Sequence, residues 1–87
     1  MAYVTESIIS RIEWCRRQKT KVHAQFEREG WHAEEEGLRD ALFNRDHMNQ
    51  YRYCPPVVFE RYMLGLQDGL ALIRTAAVDQ HHAPSRQ

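Results

Sequence analysis

The sequence predicts an all-α protein, folded as a small three-helix bundle or as a long helical hairpin with a third helix. Apolar residues recur at helical spacing in three segments, and no alternating run of β-branched residues is long enough to form a strand. Gly30 and the Pro55-Pro56 pair separate these segments, as glycine after a helix end and proline at a helix start commonly do. With 87 residues, we expect one helical domain over residues 1–79 and a flexible tail over residues 80–87.

The first helix is predicted over about residues 5–29. Thr5 is a residue type favoured at the N-cap, and Glu6 suits the first turn, where the helix dipole stabilises a negative charge. An apolar stripe follows one side of the helix and comprises Ile8, Ile12, Cys15, Val22 and Phe26. We expect this stripe to pack against the rest of the domain.

The second helix is predicted over about residues 32–50. Its first turn contains the consecutive glutamates 34–36, which we expect to be solvated at a position where the helix dipole favours anions. Its apolar stripe comprises Trp31, Leu38, Ala41, Leu42 and Met48. Because Gly37 and Arg45 interrupt this stripe, the middle helix has the weakest periodic signal of the three.

The third helix is predicted over about residues 56–79 and has the broadest apolar face, made of Phe59, Tyr62, Met63, Leu66, Leu70, Ile73 and Ala77. Gly65 and Gly69 lie within it, and each costs about 1 kcal/mol of helix stability relative to alanine. Glycines four residues apart allow another helix backbone to approach closely. The approaching helix is either the first helix of the same chain or a second subunit, and we expect the protein to form a homodimer through its long helices.

The charges of the chain cancel, with 12 basic and 12 acidic residues, so no partner is indicated by the overall charge. The local charges do not cancel. Residues 11–23 contain five cations and one glutamate, a net charge of +4, whereas residues 27–40 contain six carboxylates and two arginines, a net charge of -4. We expect these successive segments to attract each other when the chain folds back as a hairpin.

Several features of the sequence bear on its cellular location. No run of about 18 apolar residues is present, so the sequence predicts no membrane span. The N-terminal residues lack the basic and apolar regions of a signal peptide, and only two cysteines, Cys15 and Cys54, are present. The sequence therefore predicts a cytoplasmic protein with reduced thiols.

The sequence contains no recognisable catalytic motif. The five histidines show no catalytic or paired metal-ligand spacing, and the cysteines are far apart, so we expect no enzyme activity, metal or cofactor. The alternative is a dimer that builds a shared pocket from Glu36, His47 and Tyr51. This alternative lacks a sequence motif to support it.

Aromatic and basic residues outside the predicted core indicate partner surfaces. In the first helix, Trp14 lies away from the apolar stripe, with Arg17 and Lys21 on the same side. Tryptophan and arginine are common at binding hot spots, although Trp14 would equally widen the buried face.

The second predicted surface involves the end of the middle helix and the segment that follows it. Phe43, His47 and Tyr51 are spaced to share one helix face opposite the Leu38–Leu42 stripe, where they would meet a partner, a second subunit or the third helix. Tyr51, Arg52 and Tyr53 precede the two prolines, in a composition typical of protein-recognition loops or of surfaces that stack bases.

These observations favour a small non-enzymatic helical module that binds another protein, such as a regulator or a phage-type inhibitor of a larger complex. The alternative is a nucleic-acid-binding module that uses the basic first helix together with the Tyr51-Arg52-Tyr53 loop. The neutral total charge and the scatter of the cations around the first helix argue against this alternative.

Overall fold

The computed structural model describes the backbone of residues 2–85 and the side chains of residues 7–75. Over these residues the protein is all-α, as the sequence predicts, with four helices and no strand. The helices are α1 (Ala2–Lys21), α2 (Gln25–Phe43), the single-turn α3 (Met48–Tyr51) and α4 (Pro56–Ser85). None of the described helices is both long and apolar enough to cross a membrane.

Helix α2 is the central element, because α1 and α4 both pack along it, whereas the backbone of the short α3 lies against α4. On its α1 side, the buried side chains of Ile8, Ile12 and Cys15 pack against Leu38. Half-buried residues complete this cluster, namely Trp31, Leu42, Leu72 and Ile73. The predicted apolar stripe of the first helix is therefore used for packing in its N-terminal part.

The opposite side of α2 packs against α3 and the first half of α4. Ala33 of α2 contacts a buried cluster formed with Tyr51, Val58 and Tyr62. The rings of Tyr51 and Tyr62 are stacked, with centroids 4.5 Å apart and planes inclined by 8°. This second cluster attaches the short helix α3 to the long helix α4.

The first predicted helix is divided into two in the structure. α1 begins at Ala2, so Thr5 is not its N-cap, and it ends at Lys21, before the backbone of Ala24 becomes extended. Gly30, which was predicted to end this helix, instead lies inside α2. The charges at the junction explain its position, since Lys21 in the last turn of α1 and Glu27 in the first turn of α2 each suit the local helix dipole.

The second predicted helix also ends early. α2 stops at Phe43 because Asn44 adopts the left-handed conformation (φ 57°), and its N–H donates to the carbonyl of Asp40. His47 and Tyr51 therefore lie beyond the end of α2, at the start and the end of α3. The prediction that Phe43, His47 and Tyr51 share one helix face is wrong for this reason.

The third predicted helix is longer than expected, because the backbone of α4 remains helical from Pro56 to Ser85. The residues assigned to a tail from Gln80 therefore continue the helix as far as Ser85, and residues 86–87 lie outside the described part. On the predicted apolar face, Tyr62 is buried whereas Leu70 is exposed. The predicted contact of Ala77 lies outside the described side chains.

Gly65 and Gly69 pack within the chain against α2, and not against the first helix. A Cβ atom on Gly65 would overlap the carbonyl oxygen of Glu34. A Cβ atom on Gly69 would lie 2.5 Å from the Cβ atom of Ala41. The close packing of α2 against α4 offsets the loss of helix stability that two glycines in a helix interior cause.

Candidate functional site

A buried carboxylate, Asp40, lies at the centre of a polar cluster near the end of α2. The Tyr62 hydroxyl donates to Asp40 Oδ2 at 2.6 Å, and the His47 backbone N–H donates to the same oxygen at 3.1 Å. The His47 ring nitrogen Nδ1 lies 2.9 Å from both oxygens of Asp40. A buried carboxylate is costly unless it is hydrogen-bonded, and these contacts satisfy it.

The turn after α2 positions His47 in this cluster. Because Asn44 is left-handed, the chain reverses, and the backbone N–H of Arg45 donates to the carbonyl of Asp40 at 2.8 Å. This reversal places His47 beside the last turn of α2, where its backbone N–H also donates to the Tyr62 hydroxyl at 2.9 Å. The site thus combines residues of α2, of the α2–α3 connection and of α4.

A second carboxylate, Glu36, lies one helical turn before Asp40 on α2. The Tyr51 hydroxyl donates to Glu36 Oε1 at 2.6 Å, and His47 Nδ1 lies 3.5 Å from Glu36 Oε2. One ligand atom from each of Glu36, Asp40 and His47 lies within 4.8 Å of the other two. We call Glu36, Asp40, His47, Tyr51 and Tyr62 the polar cluster.

The electrostatics of the polar cluster follow from these hydrogen bonds. The hydrogen bond to Asp40 raises the pKa of His47 above its usual value, although partial burial opposes the shift. Burial, together with hydrogen bonds to Glu36 and Asp40, raises the pKa values of Tyr51 and Tyr62. Both hydroxyls therefore remain protonated and act as hydrogen-bond donors. The groups of the cluster that can bind a proton or a cation are the carboxylate oxygens and the imidazole nitrogen.

The other two glutamates of the 34–36 run form ion pairs with neighbouring helices. They are buried, in contrast to the solvated first turn that the sequence predicts, because α2 begins earlier and places them mid-helix. Arg61 of α4 donates to Glu34 at 2.9 Å. Glu35 lies within 4 Å of three cations, Arg16 at 3.0 Å, Arg39 at 3.2 Å and Lys19 at 3.8 Å.

Three of the five cations in residues 11–23 pair with carboxylates of other helices. Arg16 and Lys19 contact Glu35, and Arg11 donates to Asp68 of α4 at 3.0 Å. The expected attraction between the basic and acidic segments is thus visible as contacts between α1 and α2. These contacts partly neutralise three of the cations on which the nucleic-acid alternative relies, although the side chains of Arg11 and Arg16 remain about half-exposed.

An apolar cleft of about 420 Å³ lies where the end of α1, the start of α2 and the start of α4 meet. Phe26 and Val57 line it and are strongly exposed, at 58% and 49% of their surface. Trp31 also lines this cleft, and the Arg61 guanidinium lies 4.0 Å from its ring centroid. We call this feature the Phe26 cleft.

A larger cleft, of about 570 Å³, lies on the opposite side of the N-terminal turns of α2 from the Phe26 cleft. Tyr53 lines it and is 86% exposed, beside Tyr51 and Val58 of the second core cluster. Charged and titratable side chains also contribute to its wall, namely Lys19, Arg28, Glu29 and His32. We call this feature the Tyr53 cleft.

The predicted partner residues do not form one surface. Trp14 is 39% exposed, and its ring meets Trp31 edge-on, with centroids 5.1 Å apart. Arg17 and Lys21 are exposed, as are Phe43 and Arg52. Of the predicted set, the Tyr53 cleft brings together only Tyr51, which is buried, and Tyr53.

The exposure of Phe26 and Val57 was not predicted from the sequence. Phe26 was assigned to the core stripe of the first helix, an assignment that fails once the chain turns at residues 22–24. The change from basic to acidic residues on either side of that turn is the signal that would have located it.

Comparison with known proteins gives no relative from which to transfer a function. No family model matches the chain, and no similar protein is found among curated sequences or solved structures.

Proposed function

We propose that this protein is a small non-enzymatic interaction module that binds a partner protein through the N-terminal turns of α2. The observation that carries this proposal is the position of Phe26 and Tyr53, two strongly exposed aromatic residues. They line two clefts on opposite sides of these turns. Aromatic side chains of this kind commonly anchor protein interfaces.

The residues between the two clefts support a protein partner. Phe26, Gly30 and Trp31 face one cleft, whereas Arg28 and His32 face the other, so the helix forms a ridge between them. A partner groove that receives this ridge would bury both aromatic rings at once. In the Tyr53 cleft, Lys19, Arg28 and His32 accompany a single glutamate, so the partner groove is expected to have an acidic rim.

We propose a regulatory role for this mode of binding. A module that covers the surface of a larger complex acts as a regulator or inhibitor by excluding other ligands, without chemistry of its own. The two free cysteines are consistent with the proposed cytoplasmic location.

The proposal is tested by affinity capture from the native host, with the full chain as bait and mass spectrometry as the readout. Phe26→Ala and Tyr53→Ala should each lower recovery of the partner at least about tenfold, which corresponds to 1.4 kcal/mol of binding free energy. Phe43→Ala is the matched control, because Phe43 is 57% exposed and lines neither cleft. Equal recovery by all four chains would contradict the proposal.

The sequence predicts a homodimer through the long helices, and self-association through the surface proposed here is a different way to form one. Sedimentation velocity of the wild type and of Phe26→Ala distinguishes self-association from binding to a different protein. A dimer that Phe26→Ala dissociates would identify a second copy as the occupant, whereas a monomer throughout would leave the surface to another protein.

Nucleic-acid binding is the second candidate, and the Tyr53 cleft is the observation that favours it. Lys19 of α1 and Arg28 of α2 line this cleft beside Tyr53, so cations and an aromatic ring for base stacking lie together. Titration of DNA and RNA across a salt series provides the test. Binding that weakens steeply with salt and is lost in Tyr53→Ala would support this candidate, and no binding at low salt would exclude it.

A further inference from the structure

We propose that Glu36, Asp40 and His47 form a binding site for a divalent transition-metal ion, with Zn²⁺ as the best match. The three side chains offer two carboxylate oxygens and one imidazole nitrogen within 4.8 Å of one another. Carboxylate and imidazole groups are the usual oxygen and nitrogen ligands of zinc in proteins. None of the three proposed ligands lines either cleft, although Tyr51, which holds Glu36, also lines the Tyr53 cleft.

The two ligand separations that involve His47 fit one ion. Tetrahedral zinc with bonds of about 2.0–2.1 Å requires neighbouring ligand atoms to lie about 3.3 Å apart. His47 Nδ1 lies 2.9 Å from Asp40 Oδ1 and 3.5 Å from Glu36 Oε2, so these separations bracket the required value. A water molecule would supply the fourth ligand.

The tyrosines of the polar cluster orient the two carboxylates for this role. Tyr51 holds Oε1 of Glu36, which leaves Oε2 directed at His47. Tyr62 and the His47 backbone hold Oδ2 of Asp40, which leaves Oδ1 at 2.9 Å from the imidazole nitrogen. Protein metal sites commonly have this arrangement, in which outer hydrogen bonds fix each ligating group.

The surroundings of the site allow an ion to enter. Glu36 and His47 are half-buried rather than sealed from solvent. Two basic side chains lie next to the carboxylates, Arg45 with its Nε 3.7 Å from Asp40 Oδ1 and His32 with its Nε2 3.9 Å from Glu36 Oε1, and both are at least half-exposed. The two carboxylates supply two negative charges, which balance those of the ion, as burial of an ion requires.

The choice of ion follows from the mixed ligand set. Mg²⁺ prefers oxygen ligands in an octahedral arrangement, whereas a site with an imidazole nitrogen favours first-row transition metals such as Zn²⁺ and Co²⁺. Cobalt can therefore replace zinc as a spectroscopic probe, and Mg²⁺ serves as the negative control.

The experiment measures binding of Zn²⁺ and Co²⁺ to the full chain by isothermal titration calorimetry and by visible absorption of cobalt. We expect one Zn²⁺ per chain at the site and visible bands from bound Co²⁺. Glu36→Gln should weaken zinc binding at least about tenfold while keeping an acceptor for the Tyr51 hydroxyl. Circular dichroism verifies that each variant is folded, and His47→Gln provides a second ligand substitution.

The controls remove histidines outside the site. His23→Gln should leave zinc affinity unchanged, and so should the double variant His81→Gln/His82→Gln, which removes the adjacent histidines near the C-terminus. Equal affinity in the wild type and in folded Glu36→Gln, or loss of binding in the double variant, would indicate an adventitious ion only and overturn the proposal. Failure to detect Zn²⁺ or Co²⁺ binding to the wild type would overturn it as well.

Discussion

Gly37 of α2 and Gly65 of α4 face each other's helices so closely that neither position has room for a side chain. A Cβ atom on Gly37 would overlap the carbonyl oxygen of Tyr62, and one on Gly65 would overlap that of Glu34. Both neighbouring atoms belong to the backbone and cannot rotate away. The contact between α2 and α4 therefore depends on glycine at both positions.

Substitution of Gly65 by alanine should destabilise the protein. The gain of about 1 kcal/mol in helix propensity is smaller than the strain of separating two helices, so we expect a net loss of about 1–3 kcal/mol in the free energy of unfolding. Urea denaturation monitored by circular dichroism measures this change.

Gly30→Ala is the matched control for Gly65→Ala. Gly30 likewise lies inside a helix, in this case α2, but a Cβ atom there would meet only the Arg61 side chain, at an ordinary distance of 3.5 Å. This variant should be as stable as the wild type or more stable by up to about 1 kcal/mol. A Gly65→Ala chain as stable as Gly30→Ala would show that the helices can separate at little cost.

Substitution of Tyr62 by phenylalanine should lower stability by about 1–3 kcal/mol, because the buried Asp40 carboxylate loses a donor and the His47 N–H loses an acceptor. Thermal and urea unfolding both report the change. Tyr53→Phe removes the same hydroxyl from an exposed ring and should leave stability unchanged. A stable Tyr62→Phe chain would mean that water replaces the missing hydroxyl.

Truncation of Trp14 should cost more stability than truncation of Phe43. Trp14 is half-exposed and loses an edge-to-face contact with Trp31, for which we expect about 1–2 kcal/mol. Phe43 is more exposed and contacts the Arg45 guanidinium at 5.1 Å, for which we expect less than about 1 kcal/mol. Chemical denaturation of the two alanine variants gives this comparison, and equal losses would contradict it.

The two cysteines should differ in reactivity. Burial raises the pKa of Cys15 to about 12, so its thiol stays protonated and shielded at neutral pH, whereas Cys54 is only half-buried. Iodoacetamide at pH 7–8 should label Cys54 in the native protein and both cysteines in urea, as read by peptide mass spectrometry. Labelling of Cys15 in the native state at the rate of Cys54 would indicate local opening of the α1–α2 contact.

The helical class and the buried stripe of Ile8, Ile12 and Cys15 were predictable from the sequence, because helical periodicity is a local property of the chain. The charge pattern also indicated the attraction between the first two segments, which the structure shows in the contact between Arg16 and Glu35. The Pro55-Pro56 pair marked the start of α4 correctly, since Pro56 is its first residue.

Contacts between distant segments of the chain determine which of the possible helix ends in the sequence is adopted. Gly30 looks like a helix end but lies inside α2, whereas Asn44 ends that helix in a left-handed conformation. The physical reason is that helix ends and buried charges depend on contacts between distant segments. Asp40 can be buried only because Tyr62 and His47 reach it from outside α2, and no local periodicity encodes that convergence.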